Sequence, residues 1–125
     1  MTTVDNNQLI KFNVNVTINE NDEAVFKYTE NGHEVSGGGE VTIPNTHGMY
    51  TLDEATLKRG FYFVGAELSG PIVEDFSFKI INGGQSIVVV DSNKNAGDLC
   101  LQFIVAIPTI QKYISADPQV INKPR

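Results

Sequence analysis

The sequence predicts an all-β fold, a single-domain β-sandwich of about seven or eight mostly antiparallel strands spanning residues 1–125. Apolar and polar residues alternate strictly from Ile10 to Ile18, as in a strand that buries one face. Turn signals rich in glycine, asparagine and proline recur along the chain, and hardly any segment has helical periodicity. Short strands separated by such turns are typical of sandwiches and barrels. The unequal strand lengths and long glycine-rich loops favour a sandwich.

One short helix interrupts the predicted strands. Strands are expected over residues 9–18, 24–29, 40–43, 61–68, 74–81, 85–91 and 99–107, with an extension over 109–113. The sequence Asn-Gly-Gly at 82–84 is a hairpin turn signal. Residues 52–59 fit one or two helical turns, because Thr51 and Glu54 have capping-box spacing and Gly60 follows as a helix stop. The chain is expected to end in a tail from Ser115 to Arg125, which includes 118–125.

Charge and composition exclude several classes of partner. The net charge is -6, and no Lys/Arg cluster is longer than Lys58-Arg59. Nucleic acids and anionic membrane surfaces both need several cations on one face. Cys100 is the only cysteine, so neither an intrachain disulfide nor a cysteine-based zinc site can form, and no cofactor is expected. The N-terminus lacks the apolar stretch of a signal peptide, and a cytoplasmic location is expected.

The feature best suited to carry chemistry is the bond between Asp117 and Pro118. The proline nitrogen belongs to a tertiary amide and is a basic leaving group. The aspartate side chain can reach its own carbonyl carbon and close a cyclic anhydride, so a carboxylate nucleophile and a nearby acid suffice for cleavage. One cut in about an hour needs a barrier of roughly 22 kcal/mol, against roughly 16 kcal/mol for an enzyme turning over ten times a second. The alternative is an ordinary turn.

The chain resembles the DP-EP family in its length, its sandwich pattern and its end, Ile114-Ser115-Ala116-Asp117-Pro118 followed by a short tail. That family takes its name from Asp-Pro endopeptidase. The resemblance implies a β-sandwich that cuts its own chain once, after the aspartate of the dipeptide, as a single-turnover autoproteolytic endopeptidase of the aspartic type. The family also places a lysine near the cut aspartate, and no motif in this sequence matches it.

Asp75 and Asp91 are the candidate acid/base pair for the cut. If residues 82–84 form a three-residue turn, Ile81 pairs with Gln85, and Asp75 then lies opposite Asp91 with both carboxylates on one face. Like charges at that spacing raise one pKa and leave a proton available. Both are expected on the solvent side of the hairpin, so that exchange for asparagine slows cleavage without unfolding. The alternative is a different register that separates the pair, or a lysine that neutralises it.

Lys94 is the lysine expected nearest to this acid pair, because it lies in the loop just after Asp91. An anhydride at Asp117 would be an activated acyl donor. A lysine amine held against it would compete with water and form an amide cross-link. Lys94 is the first candidate for this cross-link and Lys112, five residues before Asp117, is the second.

A metal site is not expected in the same loop. Asp91, Asn93, Asn95 and Asp98 resemble the start of a calcium loop. However, Gly97 stands one place later than the EF-hand pattern requires, and no bidentate glutamate follows. Asx turns in a hairpin loop explain the pattern better.

A second interpretation of the chain is a non-catalytic binding or structural self-assembly module. Ile87 and Val89 are expected to share the outer face of the hairpin with Asp75 and Asp91. An apolar strip on that face would invite a partner strand or another subunit. Both interpretations allow a homo-oligomer and contact with the chain's own C-terminal segment, and the intact mass of the protein distinguishes them.

Overall fold

The computed structural model describes residues 8–108, 112–116 and 118–124, and it confirms the all-β prediction: two mixed sheets pack together as a sandwich. The described residues form eleven strands rather than seven or eight. They are Gln8–Ile18 (β1), Ala24–Glu30 (β2), His33–Val35 (β3), Gly39–Val41 (β4), Thr46–Leu52 (β5), Tyr62–Ser69 (β6), Phe76–Ile81 (β7), Ser86–Asp91 (β8), Gly97–Ala106 (β9), Lys112–Ile114 (β10) and Gln119–Asn122 (β11). A short helix, Glu54–Lys58 (α1), lies between β5 and β6, and no helix in the described ranges is long and apolar enough to cross a membrane.

Each sheet combines antiparallel and parallel neighbours. The first has the order β3-β2-β1-β5-β8-β7, and its β1–β5 pair is parallel. In the second, β9 has β6 along one edge and both β10 and β11 along the other, and β4 follows beyond β11 as its parallel neighbour. The long strand β9 therefore organises the second sheet.

The core lies between the two sheets, where inward-facing side chains of both interdigitate. The alternation predicted for β1 is observed, since Phe12, Val14 and Val16 are all buried. Aromatic rings tie the layers together: the centroids of Phe12 and Tyr50 are 4.6 Å apart, and those of Tyr50 and Phe103 are 4.5 Å apart. Each such buried side chain contributes about 1.5–3 kcal/mol. This packing fixes β1, β5 and β9 relative to one another.

The helix begins later than predicted because a strand occupies its expected start. Thr51 belongs to β5, and the helix cap is Asp53, whose Oδ1 accepts a hydrogen bond of 2.8 Å from the backbone N–H of Thr56. The Asp53 side chain thereby pairs one of the free N–H groups at the helix start. The sequence analysis does not predict strand β5, because Gly48 interrupts its apolar pattern.

The β7–β8 hairpin has a different register from the predicted one. Four residues, 82–85, form its turn, so that Ile81 pairs with Ser86 and not with Gln85. The longer turn requires left-handed backbone at Asn82, Gly83 and Gly84, with φ values of 55°, 66° and 93°. Glycine adopts that conformation without a steric penalty. The one-residue shift places Phe76, and not Asp75, opposite Asp91.

The shifted hairpin also places its apolar residues differently. Ile87 and Val89 are buried in the core, with 0% and 5% of their surface exposed, whereas Phe78 on the edge strand is 40% exposed. The outer apolar strip predicted for Ile87 and Val89 is therefore absent, and the prediction was wrong because it rested on the hairpin register.

The C-terminal segment is a strand and not the tail that was expected. Strand β11 lies inside the second sheet, between β9 and β4. Pairing with β9 changes register along the way: Ile114 pairs with Ile104, and Gln119 with Cys100. The C-terminal segment thus has one residue more than β9 across this interval, which is the count of a β-bulge. Asp117 falls in the interval but lies outside the described residues.

Candidate functional site

Asp75 and Asp91 lie close together because both bind one asparagine on the last strand. The side-chain Nδ2 of Asn122 donates to Oδ2 of Asp75 at 3.2 Å and to Oδ1 of Asp91 at 3.0 Å. We call Asp75, Asp91, Asn93, Asn95 and Asn122 the carboxylate–amide cluster. The sequence also predicts that the two acids are neighbours, but through a direct cross-strand pairing. That pairing does not occur, because Phe76 lies opposite Asp91.

The local structure explains how each acid enters the cluster. Asp91 continues the inward alternation of Ile87 and Val89 on β8, so its side chain points between the sheets. Asp75 ends the 3-10 turn Val73–Asp75 just before β7, and its carbonyl oxygen accepts a hydrogen bond of 2.9 Å from the N–H of Ser92. Both acids are buried, with 6% and 3% exposure for Asp75 and Asp91. The expectation that they lie on a solvent-facing surface was wrong.

Asp75 is held as a carboxylate. Burial favours its neutral form, but hydrogen bonds from Asn95, from the backbone of Lys94 and from Asn122 together outweigh burial and lower the pKa of Asp75. Two of these bonds come from Asn95, whose backbone N–H donates to Oδ2 at 2.8 Å and whose Nδ2 donates to Oδ1 at 2.7 Å. The negative charge is therefore satisfied by neutral donors and not by a cation.

Asp91 has the opposite protonation preference. Burial raises the pKa of Asp91, and the nearby charge of Asp75 raises it further. Hydrogen bonds from Asn122 and from the N–H of Asn93 oppose this rise without cancelling it. The pair thus combines a carboxylate that ionises readily with one that retains a proton more readily, the arrangement that assigns different acid/base tendencies to two neighbouring carboxyl groups.

The cluster has hydrogen-bonding capacity left over. Among the described residues, Oδ2 of Asp91, both polar side-chain atoms of Asn93 and Oδ1 of Asn122 are buried without a hydrogen-bond partner. An unpaired buried polar group costs about 1–3 kcal/mol. Within the same ranges, no group of three or more His, Cys, Asp or Glu side chains could hold a metal ion.

A cavity of about 60 Å³ between the sheets adjoins Asp91. Its apolar wall includes Phe12, Phe76, Leu101 and Val120, from both sheets and from β11. A space of this size suits a few small molecules such as water and is far below the several hundred Å³ that drug-sized ligands occupy. The cavity therefore leaves room for water beside Asp91.

Lys94 adjoins the cluster through its backbone and not through its amine. Its N–H lies beside the carboxylate of Asp75, while its side chain is exposed. Lys112, the second lysine considered, begins β10 and is exposed as well. Neither amine lies in a dry pocket that would make it a strong nucleophile.

The carboxylate–amide cluster lies at the far end of β11 from the Asp-Pro bond. Asp117 is outside the described residues, but Pro118 is buried and its carbonyl oxygen accepts from the N–H of Leu101 at 3.0 Å. Asn122 lies four residues after Pro118 along extended strand, which corresponds to about 13 Å. Asp75 and Asp91 are thus beyond hydrogen-bond reach of the proline nitrogen in this arrangement. Their acid/base role stays a prediction.

Other residues surround the chain on either side of the Asp-Pro bond. Ser115 is buried, and its Oγ accepts from the N–H of Phe103 at 2.8 Å. Tyr28, on the opposite sheet, lies against Ser115. Burial raises the pKa of Tyr28, the Ser115 hydroxyl acts in the opposite direction, and the phenol remains protonated at neutral pH. Gly38 packs so closely on Gln119 that a Cβ at Gly38 would lie 2.1 Å from the Gln119 carbonyl oxygen.

These contacts were missing from the sequence interpretation. The run of three glycines at 37–39 was the available signal, since glycine permits a close approach of two backbones. In the sequence alone this run has the appearance of an ordinary glycine-rich loop. Tyr28, on a predicted strand, and Ser115, in the predicted tail, carry no signal for their contact, which depends on how the sheets face each other.

Fold and site together define a class of protein: an all-β sandwich in which the strand that follows an Asp-Pro bond docks on a buried pair of acids. Residues 10–124 match the model of the DP-EP family, so the chain belongs to the DP-EP family. No curated protein matches the sequence.

Proposed function

We propose that this protein is a self-cleaving endopeptidase that cuts its own chain once, between Asp117 and Pro118. The observation that carries the proposal is the position of this bond. It lies between two strands that both pair with β9, in the interval where the strand register shifts by one residue. Bulges occur preferentially next to active sites, where they redirect the chain. Membership of the DP-EP family supports the same assignment.

The proposed chemistry uses the substrate's own side chain. The Asp117 carboxylate attacks the main-chain carbonyl carbon of the same residue, the bond to the proline nitrogen breaks, and that nitrogen takes up a proton. Water then opens the anhydride, which leaves a free aspartate at the new C-terminus and a proline amine at the new N-terminus. Asp75 and Asp91 bind Asn122, which lies about 13 Å along the strand from Pro118. A proton from Asp91 therefore has to pass through an intervening group to reach the proline nitrogen.

The released segment is expected to stay in the sandwich. Strand β11 pairs with β9 on one side and β4 on the other, and Pro118, Val120 and Asn122 are buried. An ion pair of 2.8 Å between Lys123 and Glu40 adds an exposed contact. None of these interactions depends on the bond that the reaction breaks.

The intact mass of the purified protein tests the proposal. A species that ends at Asp117 and lacks the eight residues 118–125 is expected under denaturing conditions. Asp117→Ala is expected to abolish it, because the attacking carboxylate is gone. Asp98→Ala, which removes an exposed aspartate on β9, is the control and is expected to leave the cut unchanged. A wild-type sample that keeps its full mass after days at mildly acidic pH would rule the proposal out.

The same spectrum tests the lysine cross-link. An amide between Lys94 or Lys112 and Asp117 would weigh one water less than the hydrolysed product. Both lysines are exposed, which favours hydrolysis of the anhydride by water over attack by a lysine amine. Peptide mapping is therefore expected to give linear peptides that end in Asp117.

A further inference from the structure

Strand β11 occupies a slot whose two walls offer backbone hydrogen bonds along its whole length. On one side residues 119–122 pair antiparallel with residues 97–100 of β9, and on the other residues 120–122 pair parallel with β4. The N–H of Lys123 extends the second ladder with a bond of 2.8 Å to the Val41 carbonyl oxygen. Backbone pairing of this kind binds an inserted strand regardless of its sequence.

Specificity in such a slot comes from the side chains that face the core. Pro118, just before β11, and Val120 and Asn122 within it are buried at alternate positions, and Val120 belongs to the hydrophobic core. Asn122 differs: it is 1% exposed and directs its amide onto two carboxylates. A buried polar contact at this position distinguishes one strand sequence from another far more than an apolar contact does.

The carboxylate pair requires a side chain that donates two hydrogens. Both hydrogens of the Asn122 amide are used, one on Asp75 and one on Asp91. An aspartate at this position would bring a third acceptor against two acceptors, and a leucine would leave both acids without this donor. Either change leaves buried acceptors unpaired.

We infer that this slot is a binding site for the C-terminal strand of a second copy of this chain, and that the Asp75–Asp91 pair selects that strand by its asparagine amide. The inference rests on the proposed function, because only a cut chain has a C-terminal strand that is free to leave the slot and to be replaced by another. The entering strand has the same sequence as the leaving one, so exchange conserves every contact described above. Exchange of an identical element between copies has a low cost, and the cut strand is no longer joined to its own body.

Mixing two isotopic preparations tests the exchange. Self-cut protein made in ordinary medium and self-cut protein uniformly labelled with ¹⁵N are combined in equal amounts and followed by native mass spectrometry. Hybrid complexes, with a light body and a heavy strand or the reverse, are expected to rise to their statistical proportion. Fully cut samples that form no hybrids over several days would overturn the inference.

A matched pair of variants tests the role of the acid pair. Asn122→Ala is expected to exchange about 10-fold to 100-fold faster, because hydrogen bonds to charged groups are lost. Gln119→Ala is the control, since Gln119 is exposed and makes only a long bond of 3.4 Å to Asp98. Equal exchange rates for Asn122→Ala and wild type would overturn the selective role of Asp75 and Asp91. The wild-type mixing result stands even where Asn122→Ala fails to fold.

A designed cut separates this inference from the proposed function. If the wild-type protein keeps its full mass, the recognition site of a sequence-specific protease is inserted between Ala116 and Pro118, and the folded protein is cut there. Hybrid formation after that cut supports the strand slot although self-cleavage has failed. If no hybrids form after the designed cut, the inference that the slot exchanges its strand is wrong, independently of the proposed self-cleavage.

Discussion

Asp75→Asn is expected to destabilise the protein by about 3 kcal/mol or more at neutral pH. The Asp75 carboxylate accepts from the backbone and side chain of Asn95 and from the side chain of Asn122. Asparagine would turn one acceptor oxygen into an NH₂ group facing these donors. Each hydrogen bond to a charged group contributes about 1.5–3 kcal/mol, and the partners left behind are buried. Urea unfolding at pH 7 measures the loss.

Asp91→Asn is the matched comparison, and its expected cost is below about 1 kcal/mol. The asparagine carbonyl can keep both bonds that Oδ1 of Asp91 accepts, from Asn122 and from the N–H of Asn93. Its NH₂ group replaces Oδ2, which has no partner in the described part of the chain. Losses of similar size in the two variants would contradict the different environments assigned to the two acids.

The two variants should also differ in their dependence on pH. The folded pKa of Asp75 is lowered, so its contribution to stability is complete above the unfolded pKa and is lost as pH falls through the folded pKa. The gap between wild type and Asp75→Asn should therefore narrow in acid. The folded pKa of Asp91 is raised, so its ionisation opposes folding increasingly as pH rises above the unfolded value. Asp91→Asn should gain stability relative to wild type as pH rises above about 4.

Gly38→Ala is expected to cost more than about 3 kcal/mol and to displace β11 from the sheet. A Cβ at residue 38 would lie 2.1 Å from the oxygen and 2.9 Å from the carbon of the Gln119 carbonyl. Backbone atoms cannot move aside as the end of a flexible side chain can. Either β4 or β11 must therefore leave its place. Urea unfolding gives the stability, and protease sensitivity of residues 118–125 reports the displacement.

Gly83→Ala separates this clash from a general effect of alanine. Gly83 has φ of 66° in the β7–β8 turn, and a Cβ there would meet nothing within 4 Å. Its cost is therefore conformational only, about 1–2 kcal/mol, and β11 should stay protected from protease. If β11 is protected from protease in Gly38→Ala as well, the prediction that the added Cβ displaces β11 is wrong.

Sequence patterns predicted the elements that are amphipathic along their own length. Strand β1 could be found because its buried and exposed residues alternate without interruption. Strands β5 and β11 could not, since Gly48 breaks one pattern and the other has only four residues. Their strand state depends on neighbours that the local sequence does not show: β5 lies between β1 and β8, and β11 lies between β9 and β4.

The carboxylate–amide cluster shows why part of the candidate site was out of reach. The two acids could be paired from the hairpin signal, yet the register was off by one residue and the acids meet through a 3-10 turn. Asn122, which binds both, is 31 residues beyond Asp91 along the chain. Nothing in the intervening sequence indicates that a C-terminal asparagine returns to this point, because that contact is set by how the two sheets stack.

The position of β11 has a consequence for the order of folding. Strand β4 has β11 as its pairing partner, and the contact from Glu40 to Lys123 closes a loop of 83 residues. Closing so long a loop carries an entropic cost that the hairpins β1–β2 and β7–β8 avoid, and non-local pairings of this kind slow folding. We expect the β4–β11 ladder to form after the hairpins. A cut that needs the folded chain would then follow the slowest loop closure, so the lag before the first cleaved product should report the folding time of the second sheet.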